Sequence, residues 1–185
     1  AVGKYNEPLT DERLFAWHSS LFPTGRSGMK RITVGAWRTD KLGPMQVVSG
    51  PIGHEHVHYQ APDAETLNKE MSVFIHWLNT EDAVDPVLKA GIAHLWFVII
   101  HPFDDGNGRI ARAIADLLLA RSEQSSQRFY SMSAQIRKER DSYYDILKKT
   151  VTNNLDITDW LEWFLVCLGQ AINGAENVLI AVLKK

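Results

Sequence analysis

The sequence predicts a mainly α fold, a compact helical bundle with a small β-hairpin flap, on three observations. Apolar residues recur at helical spacing through most of the chain after Asp63. Residues 31–60 instead hold short β-prone pieces broken by Lys41, Gly43 and Pro44. The connections between helical runs are short, as compact packing requires.

Taken in order, residues 9–21 carry Leu14, Phe15, Trp17 and Leu21 on a helical stripe, with Thr10 as cap and Pro23 and Gly25 as stops. Ile32-Thr33-Val34 and Gln46-Val47-Val48 read as the two arms of a hairpin that Val57 and Tyr59 extend. Residues 63–78 place Leu67, Met71, Phe74, Ile75 and Leu78 on one face. Residues 87–100 follow, with Asp85 as cap and Pro86 in the first turn. Helices at 108–121, 134–149 and from 158 onward complete a count of six. The whole, 1–185, reads as a single domain with its core at about 5–168 and a helical extension at 169–185. The chain opens on Ala1 rather than methionine, which points to a piece of something longer.

Composition narrows the function classes. Of 185 residues, 45% are hydrophobic and 23% charged, an ordinary soluble balance. A net charge of −2 without a basic tract argues against nucleic acid or an acidic membrane as partner. The longest uninterrupted apolar run, at 95–100, is too short to span a bilayer, and nothing near Ala1 resembles a signal peptide, so the expected location is cytoplasmic. Cys167 is the single cysteine and lies in an apolar run, as a buried, inert thiol would.

The chemistry gathers in His101-Pro102-Phe103-Asp104-Asp105-Gly106-Asn107-Gly108-Arg109-Ile110-Ala111-Arg112. Pro102 ends the preceding apolar helix and leaves His101 at the edge of the core. Gly106 and Gly108 allow positive φ and close backbone approach just where the next helix begins. The N–H groups there have no intrahelical partners, and the helix dipole is positive, so the turn suits phosphate. Arg109 and Arg112 share one face of that helix and suit a polyphosphate. Asp105 offers a carboxylate for Mg2+ shared with phosphate oxygens. His101, with an ordinary pKa of about 6.5, serves as a base. Together these residues point to phosphoryl or nucleotidyl transfer.

This stretch resembles the signature His-x-Phe-x-Asp/Glu-Gly-Asn-Gly-Arg-x-x-Arg of the Fic family at every specified position. Also similar are the upstream hairpin, the pattern Ser133-x-x-Ile136-x-x-x-Arg140-x-x-Tyr143-Tyr144-x-x-Leu147, and Asp156-Ile157-Thr158 leading into Trp160-Leu161-Glu162-Trp163. The resemblance covers about 5–168. It implies the Fic fold and protein adenylylation, the transfer of AMP from ATP to a Ser, Thr or Tyr hydroxyl with release of pyrophosphate. It further implies that His101 is the general base and that Asp105 holds Mg2+ between the α- and β-phosphates. Gly106, Asn107 and Gly108 would form the anion hole, Arg109 would hold the phosphate tail and Arg112 would reach the γ-phosphate. Phe103 would anchor the loop in the core, and Tyr143 or Tyr144 would lie near the adenosine. A flap from about 47 to 59, including Val48, Ser49, Gly50, Pro51 and Ile52, would pair with an extended segment of the target protein.

Alternatives with different chemistry are a kinase in which the nucleotide is flipped, another nucleotide-linked transfer or AMP removal on the same fold, and a non-catalytic nucleotide-binding module. His54-Glu55-His56-Val57-His58 matches the zinc-protease pattern, but an extended segment separates residues four apart by roughly 13 Å, too far to share one metal. The remaining histidines give weaker signals: His94 reads as a hydrogen-bonded core residue, and His18 and His76 carry none. Many Fic proteins bear an inhibitory helix with Ser/Thr-x-x-x-Glu-Gly/Asn. Here Glu176-Asn177 has Ile172 in the hydroxyl position, so that helix is expected from a missing segment or from a separate antitoxin-like protein.

Overall fold

The computed structural model describes residues 2–41, 43–49, 56–152 and 156–184, and among them are seven α-helices and four short strands. Thr10, in extended conformation, accepts a hydrogen bond from the Arg13 N–H and caps α1 (Asp11–Leu21), as its hydroxyl predicts. The buried face of α1 is Leu14 and His18, one turn apart. Two antiparallel hairpins follow. The first joins β1 (Arg26–Ser27) to β2 (Lys30–Arg31), and the second joins β3 (Gln46–Ser49) to β4 (His56–Gln60), with an irregularity between Val47 and Val48.

The predicted pairing of Ile32–Val34 with Gln46–Val48 is therefore corrected. The 32–35 segment gives its N–H groups to other acceptors: Ile32 to the Gly25 carbonyl at 3.2 Å, Thr33 to Asp104 Oδ2 at 2.7 Å, and Gly35 to His18 Nδ1 at 3.3 Å. Those bonds replace a strand ladder. The flap proper is β3–β4, whose pairing of Val47 with Tyr59 agrees with the expected span. Gly50, Pro51 and Ile52, together with His54 and Glu55, lie outside the described residues. His56 and His58 lie on extended β4, not on a helix.

A short 3-10 turn (Ala64–Thr66) leads into α2 (Leu67–Thr80), which buries Leu67, Met71, Phe74 and Leu78. α3 (Pro86–Ile100) begins where Asp85 Oδ1 accepts from the Val87 and Leu88 N–H groups. It is the central element, buried on most of its circumference and packed against α2, α4 (Asn107–Ser122) and α7 (Thr158–Leu183). Gly91 allows the closest approach: a Cβ there would lie 3.1 Å from both Leu161 and Phe164 of α7. Trp160, fully buried, donates its indole N–H to the Gly91 carbonyl at 2.9 Å.

The helix expected at 134–149 is two helices, α5 (Met132–Lys138) and α6 (Arg140–Thr152), broken at Glu139. Met132, Ile136 and Tyr143 stay in helical phase across the break, so apolar spacing alone does not reveal it. Cys167 is buried, and burial pushes its thiol up to about 12, as expected of an inert side chain. α7 adds to the reading of the apolar runs. Although no unbroken apolar run is long, this helix is long and apolar enough by composition to cross a membrane. Trp160, Phe164, Cys167, Leu168 and Ala171 in its N-terminal half join the protein core, while the turns after Ala171 are exposed.

Candidate active site

His101 caps α3 in the left-handed conformation, φ 50° and ψ 54°. A non-glycine residue there costs about 1–3 kcal/mol and persists only where its surroundings fix it. Arg38 supplies much of that fixing. Its side chain is fully buried; Nε donates to the His101 carbonyl at 2.8 Å, Nη1 pairs with Asp40 at 2.7 Å, and Nη2 donates to the Pro62 carbonyl. The Arg38 backbone N–H also donates to the Pro102 carbonyl at 2.8 Å.

The imidazole of His101 lies with Nδ1 3.1 Å from the Val98 carbonyl. A carbonyl only accepts, so Nδ1 carries the proton and Nε2 keeps its lone pair. Burial pushes the His101 pKa below the ordinary histidine value, and Arg38 lowers it further against the Val98 bond and Asp105. The ring is thus neutral at pH 7 and its Nε2 is a proton acceptor.

Past Pro102 the chain turns through a loop closed by its own residues. Phe103 is fully buried and stacks on His18, with ring centres 4.1 Å apart and planes 6° apart. Asn107, also buried, accepts from the Phe103 N–H at 2.9 Å and donates to the Phe103 carbonyl at 2.8 Å. The Asn107 side chain therefore braces the loop, and what it can offer an anion is its backbone N–H. Gly106 stands at φ 86°, and a Cβ on it would lie 2.9 Å from the Phe22 ring, so glycine is required on both counts. The N–H groups of Asn107 and Gly108 open the first turn of α4, where no intrahelical carbonyl is available.

Asp105 is half-exposed, and both of its oxygens meet donors. Oδ1 accepts from the Gly106 N–H at 2.5 Å, Oδ2 accepts from the Ser27 hydroxyl, and Arg109 Nη2 stands 3.8 Å away. The Arg109 guanidinium lies 4.5 Å over the Phe22 ring, which holds it beside the turn. Arg112 lies back along Gly108, close enough to Tyr143 for its charge to act on the hydroxyl; among the described residues no carboxylate is within ion-pair distance of it. Two guanidiniums, unpaired helix N–H groups and one accessible carboxylate fit Mg2+ shared with a polyphosphate, because Mg2+ takes few protein oxygens and keeps the rest of its shell for phosphate and water. Among the described residues no cluster of three or more acidic, histidine or cysteine side chains offers a metal site made by protein alone.

The two tyrosines differ in surroundings. Tyr143 is buried, its hydroxyl 3.0 Å from His94 Nε2, so its ring belongs to the core. Tyr144 is 53% exposed, and Arg140 lies 5.6 Å from its ring centre. On the other side of the site, Tyr59 of β4 donates to the Ile99 carbonyl at 2.8 Å and ties the flap to α3 beside His101. Val48 and Ser49 end β3 opposite Val57 and His56. Sequence reasoning missed His18, Ser27, Arg38 and Tyr59. His18 had a usable signal, being a polar residue one turn from Leu14 on the apolar side of α1.

A model of the Fic/DOC family matches residues 8–119, more than half of the chain. The chain belongs to the Fic/DOC family. Its relatives include "Protein adenylyltransferase fic-1" of Caenorhabditis briggsae, 43% identical over 60 residues, which are 31% of this chain and 12% of that protein. "Protein adenylyltransferase Fic" of Drosophila grimshawi is 34% identical over 105 residues, 56% of this chain and 20% of the relative. The matches span only about an eighth to a fifth of these curated relatives. Among solved structures, a Fic family protein from Desulfovibrio desulfuricans superposes with a TM-score of 0.73 at 26% identity, covering 91% of this chain and 47% of that one. Fic-1 from Caenorhabditis elegans superposes with a TM-score of 0.67 at 23% identity, covering 98% of this chain and 47% of that one, a likeness of fold. The mainly helical Fic architecture expected from the motif is the architecture found.

Proposed function

We propose that this Fic/DOC chain transfers AMP from ATP to a Ser, Thr or Tyr hydroxyl of another protein, with pyrophosphate leaving. The observation that carries the reading is His101: its Nδ1–H is held by Val98 and its Nε2 lone pair has no hydrogen-bond partner among the described residues, next to a helix N-terminus suited to phosphate. The names of the adenylyltransferase relatives support AMP as the group transferred.

In this mechanism the Asn107 and Gly108 N–H groups and Arg109 hold the phosphates, and Arg112 reaches the terminal one. Asp105 would hold Mg2+, which would supply neutralising charge to the phosphates. His101 Nε2 takes the hydroxyl proton as the acceptor oxygen attacks the α-phosphorus in line. Catalysis rests on positioning and charge stabilisation without a covalent enzyme intermediate. The open edge of the β3–β4 flap, reaching Val48 and Ser49, takes an extended target segment by strand addition, and Tyr144 borders the adenosine. The chain works as one catalytic domain whose inhibitory helix comes from elsewhere, a reading supported by Arg112 having no carboxylate within ion-pair distance among the described residues.

Incubation with Mg2+ and ATP labelled at the α- or the γ-phosphate, followed by mass spectrometry of the labelled protein, tests the reading. AMP on a hydroxyl supports it. Phosphate on a hydroxyl would show a kinase, and bound nucleotide without transfer would show a binding module. His101→Ala is expected to lower transfer by about 100-fold or more, and full activity in that variant would remove the proposed base.

A further inference from the structure

His18 is fully buried in α1, far in sequence from the motif, yet it touches the motif at its metal-binding position. The ring has two polar contacts of opposite kind. The Gly35 N–H donates to Nδ1 at 3.3 Å, so Nδ1 carries the lone pair. Nε2 lies 3.0 Å from the Asp105 carbonyl, which only accepts, so Nε2 carries the proton and donates. Both nitrogens are satisfied by one tautomer, and that tautomer is fixed by backbone atoms alone. The ring face stacks flat on Phe103, with Phe22 on another side at 5.1 Å. The imidazole thus packs on the first residue of the loop braced by Asn107 while binding the peptide of Asp105.

We infer that His18 is a positioning residue of the site, aiming the Asp105 carboxylate and the following Gly106 N–H through its Nε2–H bond to the Asp105 carbonyl. The inference rests on the proposed role of Asp105 as the Mg2+ carboxylate. Rotation of the 105–106 peptide would swing that carboxylate away from the start of α4. The Nε2–H bond opposes this rotation from one side, as Ser27 and Gly106 do by holding the carboxylate itself. Outer contacts of this kind typically change metal affinity 10- to 100-fold.

Two substitutions split the ring into its halves. His18→Gln extends an amide N–H to the place of Nε2 and loses the acceptor for Gly35. His18→Asn keeps an acceptor at the place of Nδ1 and loses the donor to Asp105. Thermal melts put both variants on a common stability scale. Hydrogen exchange of residues 102–108 in the ligand-free chain and calorimetric titration with Mg2+ and ATP are then compared. The expected result is a protected loop and near-native affinity in His18→Gln, with faster exchange and about 10-fold or greater weakening in His18→Asn. Equal behaviour of the two variants, or native behaviour of His18→Asn, would overturn the positioning role. If His18→Asn does not fold, His18→Gln decides alone: a protected loop upholds the role and an unprotected one overturns it. Failure of the unsubstituted chain to bind Mg2+ and ATP would remove the proposed function instead, and the exchange contrast would still judge His18.

Discussion

In the loop joining α3 to α4, polar atoms are paired and an aromatic ring is fully buried. In the last turns of α7, apolar side chains face solvent, with Val178 65% exposed and Leu183 76% exposed. The loop is held by partners distant in sequence: Arg38 on the His101 carbonyl, His18 on Asp105, and Asp104 on the Thr33 N–H. The end of α7 has no such partner among the described residues, because the elements it packs on end near Ala171. Polar composition therefore does not make a segment loose, nor does apolar composition make it buried. What decides is whether another element arrives to complete the contact.

The largest way to break the contrast is Arg38→Met. It leaves the carbonyls of His101 and Pro62 without their guanidinium donor and takes one of two donors from the partly exposed Asp40, and each buried acceptor left unpaired costs about 1–3 kcal/mol. A fall of that size in denaturant stability is expected, together with loss of Mg2+-ATP binding.

Gly106→Ala is next. The positive φ and the 2.9 Å approach to Phe22 together predict a loss of about 1–3 kcal/mol by the same measurement. Asn107 and Gly108 cannot then keep their place at the start of α4, so calorimetry should show weakened nucleotide binding.

A smaller effect comes from pH. Burial, with help from Arg112, pushes the His94 pKa down to about 3, while the unfolded chain takes up this proton near the ordinary value of about 6.5. The unfolded state then binds more protons between those values. Stability is fully present above pH 6.5 and falls as pH drops toward 3, by up to about 1.4 kcal/mol per unit for this group. His18 and His101 are shifted in the same direction and steepen the fall. Melting temperatures across pH 4–7 should show it, and His94→Gln should flatten the curve in part.

The smallest effect sharpens the other side of the comparison. Leu179→Lys on the exposed end of α7 should change stability by less than about 0.5 kcal/mol in denaturant unfolding. A large loss there would mean that this end is buried against something in solution.

Much of the fold and of the motif was legible in the sequence because the signals were local. Thr10 and Asp85 announced their helices as caps, Phe103 was expected in the core, and His94 was read as a bonded core histidine. Local signals failed where a distant group claimed the backbone. Ile32–Val34 has strand propensity, yet the Thr33 N–H is taken by Asp104 and that of the adjoining Gly35 by His18. Tyr143 and Tyr144 adjoin in sequence, and only packing against His94 tells which of them is interior. Arg38 reads as a surface cation until the carbonyls that it binds are in view.

The bond from His101 Nδ1 to Val98 also places the proposed base at the negative end of a fifteen-residue helix dipole. In the resting chain burial holds the His101 pKa below the ordinary histidine value against the Val98 bond. In the proposed mechanism, a proton taken by Nε2 would make a cation facing the helix carbonyls, an arrangement worth about 0.3–2 kcal/mol. The helix that supports the ring from below would therefore stabilise it most at the moment of charging.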